Sequence, residues 1–239
     1  MPPVFGFSLQ EYCLQSMAYS CRKCMSIVHD LAFIVGFAVN KVRPWFQESL
    51  NQPIHSEEKI MTRVALLGAG AMGSRLAQNL LQAQYELVIY NRTADRVKPL
   101  ISQGAVYAAT PKAAAEQTSI IISMVTDNES SSAVWLDPDA GAVLGLREGS
   151  IAIESSTLTV DYTCDLAATL AQQNVAFLDA PVVGSRPQAE AKKLIYLIGG
   201  EAETLDQVRM VLSSAGAEAM YLVGEIGQGM AMKLAVNAL

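Results

Sequence analysis

Val64-Ala65-Leu66-Leu67-Gly68-Ala69-Gly70-Ala71-Met72-Gly73 decides how this chain folds. The first four residues are a short apolar run that stops at glycine, the pattern of a buried strand. Three glycines follow with the spacing G-x-G-x-x-G. Met72, Leu76 and Leu80 then recur at helical spacing through residues 71–84. A glycine-rich turn between a strand and a helix is the context in which this motif holds a dinucleotide. Gly68 permits the tight turn, Gly70 lets the backbone approach a pyrophosphate, and Gly73 lets helix and strand pack closely. Ala69, Ala71 and Met72 complete the loop, and the free N–H groups and dipole at the helix start favour phosphate. The competing reading is an ordinary glycine-rich turn.

Outward from this loop, Glu86–Tyr90 forms a second strand and residues 94–102 a second helix. Ser119–Val125 is a third strand, with Ile120, Ile121 and Ile122 in a row. Ile151–Glu154, Val175–Leu178 and Leu194–Ile198 follow as strands, with helices predicted over 158–172 and 201–213. Asp137, Pro138, Asp139 and Gly141 mark a loop. Strands alternating with helices predict βαβ units, and continuous apolar strands fit a sheet covered on both faces. The fold class is therefore α/β, a Rossmann-type, doubly wound, mainly parallel sheet. It is expected over residues 61–225, with a further helix begun by residues 226–239.

The end of the second strand selects the cofactor. An acid there would accept from the ribose 2′-OH and favour NAD. This chain has Asn91-Arg92-Thr93 instead. Arg92 offers a planar, permanently charged fork to a 2′-phosphate, and Asn91 and Thr93 supply neutral donors. NADP is favoured, with NAD as the alternative. The competing reading makes Arg92 a solvated residue at a helix start.

Hydride transfer from a nicotinamide needs an accompanying proton. Both histidines, His29 and His55, precede this domain. In the stretch 227–237, Gly229, Lys233 and Asn237 fall at i, i+4 and i+8, on one face of a helix. Gly229 would clear space, Lys233 would offer the proton, and Asn237 would bond the substrate or orient the ammonium. Desolvation would lower the lysine pKa and make it a usable acid. By spacing alone, a solvated lysine on an amphipathic helix is the commoner case.

The whole chain has 239 residues, 17% of them charged, and a net charge of −6. That balance argues against a general nucleic-acid binder, which needs a basic surface. No apolar run reaches the roughly 18 residues of a membrane-spanning helix. Four cysteines in a chain of this length are no disulfide framework, so a reducing, cytoplasmic setting is expected. Residues 1–60 form an irregular extension that balances five basic against five acidic residues, so the net charge resides in residues 61–239. The run Leu31–Val39 lacks a convincing signal-peptide context. Cys21-Arg22-Lys23-Cys24 has zinc-ligand spacing but no second pair to close a site, so no metal is expected there. Met61 stands directly before the first strand and is a candidate start.

Four motifs in order give residues 61–239 a family resemblance. They are the Gly68–Gly73 loop with Asn79-Leu80, the Asn91-Arg92-Thr93 turn, the segment Asp179-Ala180-Pro181-Val182-Val183-Gly184-Ser185, and the Gly227–Asn237 stretch. Together they resemble the β-hydroxyacid dehydrogenases, which include 3-hydroxyisobutyrate dehydrogenase and tartronate semialdehyde reductase. Gly184-Ser185-Arg186-Pro187-Gln188-Ala189-Glu190 resembles the glyoxylate/succinic semialdehyde reductase branch, although the family's Pro-Ala pair is split here. The resemblance implies that Lys233 is the general acid and that Asn237 helps place a small-molecule substrate. It implies cofactor contacts from Met124, Val125 and the 124–128 loop, and from Ser156-Thr157. Thr157 also reads as the N-cap of the helix over 158–172. The Pro181–Ser185 turn, with Val183, Gly184 and Ser185, would bind the substrate through backbone N–H groups and small side chains. Val183 departs from the family's usual serine, which removes a hydroxyl. Ser185 is a candidate replacement.

The family's lysine-bearing helix leads into an all-helical domain that closes the site and usually builds the oligomer. That domain is expected to be missing beyond Leu239. The resemblance therefore supports an NADP-preferring oxidoreductase that interconverts a small aldehyde acid and its hydroxy acid. A nucleotide-binding fragment without its own catalysis is the alternative. An imine reductase shares the architecture, but those enzymes commonly carry another residue where Lys233 stands. A chromatin-associated relative lacks the basic arm it would need.

Overall fold

The computed structural model describes residues 62–238. The readings on Leu31–Val39, Cys21–Cys24, the histidines and Met61 lie outside the described residues.

Nine strands among the described residues share one sheet. They are β1 (Arg63–Leu67), β2 (Glu86–Tyr90), β3 (Val106–Tyr107), β4 (Ile120–Ser123), β5 (Ile151–Glu154), β6 (Ala176–Asp179), β7 (Val182–Val183), β8 (Leu194–Gly199) and β9 (Ala217–Gly224). The helices are α1 (Gly73–Gln82), α2 (Lys98–Ile101), α3 (Pro111–Ala115), α4 (Asn128–Trp135), α5 (Val160–Ala171), α6 (Arg186–Glu190), α7 (Ala202–Ala215) and α8 (Gln228–Asn237). The spatial order is β3-β2-β1-β4-β5-β6-β8-β7, and β9 also pairs with β8. β1 to β6 run parallel. β8 is antiparallel to both β6 and β7, and β9 is parallel to β8. The first six strands have the 3-2-1-4-5-6 order of a Rossmann sheet.

Strand alternation sorts the core into two layers. Val64, Leu66, Ile89, Ile122 and Ile153 meet Leu76 and Leu80 of α1 and Val208 and Leu212 of α7. Ala65, Leu67, Ile121, Ala152 and Phe177 meet Trp135 of α4 and Leu166 and Leu170 of α5. Both faces are dry, so both alternating sets are apolar and the strands read as unbroken runs. Each fully buried leucine or isoleucine contributes about 1.5–3 kcal/mol. Asn79 is the polar exception in the first layer. Its Nδ2 donates to the carbonyls of Ala189 and Ala215, both at 2.9 Å, and ties α1 to α6 and to the end of α7.

Several boundaries differ from expectation for local reasons. The predicted 94–102 helix divides into a 3-10 turn, Ala94–Val97, and α2, with Pro99 near the start of α2. The third strand stops at Ser123, because the Val125 N–H turns to the Ser156 hydroxyl at 2.8 Å. α5 begins at Val160, so Thr159 and not Thr157 occupies the N-cap position. The preceding Leu158 N–H is directed to the Met230 sulfur at 3.1 Å, which keeps this segment out of the helix. Among the described residues, no helix is long and apolar enough to cross a membrane.

Candidate functional site

β1 lies between β2 on one side and β4 on the other, so the connections from these strands part at its carboxyl end. Such a switch point opens a crevice for ligands. A cavity of about 270 Å³ occupies it. The cavity is lined by Gly68, Gly70, Ala71, Met72 and Gly73 from the loop, by Asn91, Arg92 and Thr93 after β2, and by Met124 and Val125 after β4. Thus ten residues singled out from sequence come together in one place. Ala69 lines an adjoining shallow recess with Arg75, Arg96 and Arg186. Thr157 and Lys233 line neither cavity.

The loop glycines have distinct tasks. Gly68 has φ +104°, and a Cβ there would strike the Met124 carbonyl oxygen. A Cβ on Gly73 would strike the Gly68 carbonyl oxygen. These two positions allow α1 and the β4 loop to close on β1. A Cβ on Gly70 would meet nothing within 4 Å, so its side is open. Among the described residues, the N–H groups of Gly70, Ala71 and Met72 have no backbone partner. Open space above unpaired amides at a helix start is the donor set a pyrophosphate requires.

Asn91 has a structural task besides the donor expected of it. Its Oδ1 accepts from Ala69 N–H at 2.9 Å, and its Nδ2 donates to the Thr93 carbonyl at 2.8 Å. The amide is thus engaged in tying the glycine loop to the β2 turn. Arg92 is exposed, and so is Arg96, which also lines the cavity. Neither forms an ion pair among the described residues. Arg96 was missed by sequence reasoning. Its closeness in the chain to Arg92, just inside the helix predicted to start at residue 94, was the available signal.

The far wall rests on a buried carboxyl that sequence reasoning also missed. Glu154 is fully buried at the end of β5. Its Oε2 accepts from the Ser131 hydroxyl at 2.7 Å and from Trp135 Nε1 at 2.9 Å. Its Oε1 accepts from Ser156 N–H at 3.0 Å. Ser156 in turn holds Val125, so one carboxyl joins α4, the 155–157 turn and the cavity wall. Burial pushes the Glu154 pKa up, and these donors oppose the shift. Tyr162 donates to Ser131 at 3.1 Å, and burial pushes its phenol up to about 12.

Lys233 sits on α8 and is only 9% exposed. Desolvation holds its ammonium below the usual lysine pKa. Gly229 does not clear space for a substrate, as its spacing had suggested. A Cβ there would lie 2.5 Å from the Leu197 carbonyl oxygen and 2.8 Å from Gly199 N, so the missing side chain lets α8 touch β8. Asn237 is exposed near the end of α8.

The Pro181–Ser185 turn also departs from expectation. The Ser185 N–H and hydroxyl both donate to Gln188 Oε1, at 3.0 and 2.6 Å. These donors start α6 and are therefore engaged within the protein. Val183 is half-buried on β7, and Gly184 takes φ +131° beside Leu194 and Gln188. α6 leads to α1 through Asn79, whereas α8 packs beside α5.

A doubly wound sheet with amide-rich glycine loop and flanking arginines defines a nicotinamide-dinucleotide-binding domain. Residues 63–232 match the family described as the NAD binding domain of 6-phosphogluconate dehydrogenase. The chain belongs to that family and, within it, to the β-hydroxyacid dehydrogenases. An uncharacterized oxidoreductase, YfjR, of Bacillus subtilis is 38% identical over 178 residues, covering 74% of this chain and 62% of that protein. Glyoxylate/succinic semialdehyde reductase 2, chloroplastic, of Arabidopsis thaliana is 33% identical over 185 residues, covering 77% of this chain and 51% of that protein. The structure of Mycobacterium tuberculosis 3-hydroxyisobutyrate dehydrogenase with L-serine superposes with a TM-score of 0.70 at 26% identity, covering 74% of this chain and 60% of that one. The chain thus spans between half and two thirds of the length of these proteins.

Proposed function

We propose that this chain is an NADP-preferring oxidoreductase that interconverts a small aldehyde acid and its hydroxy acid. The carrying observation is the cavity itself, where glycine-loop amides stand beside Arg92 and Arg96, none of them paired among the described residues. The Asn91-Arg92-Thr93 turn after β2 holds no acid to repel a 2′-phosphate. A reduced nicotinamide supplies the hydride when bound. Lys233 then gives its Nζ proton to the substrate carbonyl oxygen, and its lowered pKa makes that proton easier to lose. Glu154 braces the wall formed by Val125 and Ser156. The name of the Arabidopsis relative supplies the substrate class: glyoxylate and succinic semialdehyde. Tartronate semialdehyde is a further candidate of the same chemistry.

The test uses the full chain with NADPH and each aldehyde acid in turn, following loss of the reduced-nicotinamide absorbance. Turnover with one of them supports the proposal. A second reading is a dinucleotide-binding chain without its own catalysis. It is favoured by the Pro181–Ser185 turn, where Val183 is apolar and both Ser185 donors are engaged. NADPH binding with no turnover of any of the three acids would select that reading.

A further inference from the structure

We infer that Asp179 is a positioning residue for Lys233, clamping the start of α8 to the end of β6. The inference rests on the reading of Lys233 as the proton donor. Asp179 opens the Asp179–Ser185 motif, and its carboxyl is bonded to the start of α8. Its Oδ1 accepts from Gly227 N–H at 2.8 Å and its Oδ2 from Met230 N–H at 2.7 Å. Asp179 is wholly buried.

α8 has no cap of its own. Its N-cap residue is Gly227, at φ +88° and without a side chain. A helix start leaves orphan N–H groups, and an acid is the favoured partner for them. Here a residue 48 positions earlier in the chain supplies that acid. The surroundings are shaped to admit it. A Cβ on Gly199 would strike Asp179 Oδ1, and a Cβ on Gly229 would lie 2.8 Å from Oδ2. Met230 adds a third anchor through its sulfur, which accepts from Leu158 N–H.

Lys233 follows Met230 by three residues and Gly229 by four, so all three lie on one face of α8. All three are buried. The two carboxylate bonds therefore fix the rotation of the helix that keeps Lys233 dry. Asp179 acts on Lys233 through this geometry, not by touching a substrate.

The test compares the full chain with Asp179→Asn and Lys233→Ala. Asparagine keeps one acceptor but turns an NH₂ group towards the second N–H. Three quantities are read: NADPH affinity, the rate at which a water-soluble amine reagent labels Lys233, and kcat and KM for the aldehyde acid. The clamp predicts unchanged NADPH affinity and labelling faster by about 10- to 100-fold, the worth of one hydrogen bond to a charged group. It predicts a kcat loss of about the same size with little change in KM. The labelling arm needs no turnover. If Asp179→Asn does not fold, Asp179→Ser keeps one acceptor oxygen and takes its place. In the unmodified chain, the Gly227 and Met230 amides should exchange slowly with solvent. Unchanged labelling of Lys233 in a folded variant, or fast exchange of Met230 N–H in the unmodified chain, overturns the clamp. Faster labelling in the Asp179 variant, with full turnover by Lys233→Ala, keeps the clamp and refutes Lys233 as the donor.

Discussion

At the ends of β1 and β2, apart from Asn91, the polar groups that face the cavity have no partner among the described residues: the N–H groups of Gly70, Ala71 and Met72 and the guanidinium groups of Arg92 and Arg96. At the ends of β5 and β6, the polar groups are Glu154 and Asp179, register neighbours that are both wholly buried, with both oxygens of each engaged. The first region keeps its hydrogen-bonding capacity for a ligand. The second spends its capacity inside the protein to hold α4, α8 and the 155–157 turn. One edge of one sheet thus carries a receptive half and a braced half. A change to the unpartnered groups of the receptive half, or in the open space beside them, should alter affinity with little effect on folding. A change in the braced half should alter geometry, and through it the chemistry.

The largest expected effect tests the braced half. Lys233→Ala should lower the reduction rate by about 10²- to 10⁴-fold, the usual worth of a general acid, while NADPH affinity stays the same. The pH profile has a definite sign. The proton donor must be protonated for reduction, so the rate should fall as pH rises through the Lys233 pKa. Burial sets that pKa below 10.5. The reverse oxidation should rise over the same range. A reduction rate that stays flat up to 10.5 would break the assignment.

The next effect contrasts two glycines of the same loop. Gly73→Ala drives a methyl into the Gly68 carbonyl and should destabilise the fold by about 1–3 kcal/mol, as overpacking does. Gly70→Ala enters open space, so it should keep the melting temperature while weakening NADPH. Equal melting temperatures for the two variants would remove the distinction between them. The smallest effect lies away from both halves. Thr110 Oγ1 caps α3 by accepting from Ala113 N–H at 3.0 Å. Thr110→Ala should cost about 1 kcal/mol in denaturant unfolding, with both NADPH affinity and turnover unaffected.

The same contrast explains what was legible in the sequence. β1, β2, β4 and β5 announce themselves because burial on both faces makes them unbroken apolar runs. The glycine loop is legible because its demands are on the backbone and fall within six residues, Gly68 to Gly73. β9 was missed. Tyr221 and Leu222 on it are exposed, and its run of small and mixed residues has neither period. α4 was missed because its buried face includes Ser131, polar in sequence and sensible only beside Glu154. The bracing roles of Glu154 and Asp179 were not legible for a related reason. Apart from Ser156 beside Glu154, their partners lie 19 to 51 residues away in the chain, and no local pattern joins a carboxyl to a donor at that distance. Ser185 shows the converse. A hydroxyl beside glycine looked available for a substrate, but a glutamine three residues on claims it.

Titration of the full chain with NADPH and NADH, alongside Arg92→Asp, tests the central claim most directly. The account predicts tighter binding of NADPH than of NADH by the unmodified chain. In Arg92→Asp, NADPH should weaken by about 10- to 100-fold, the loss of a charged hydrogen bond, and the preference should move to NADH. Equal affinities for the two dinucleotides, or NADPH affinity unchanged by Arg92→Asp, would contradict it.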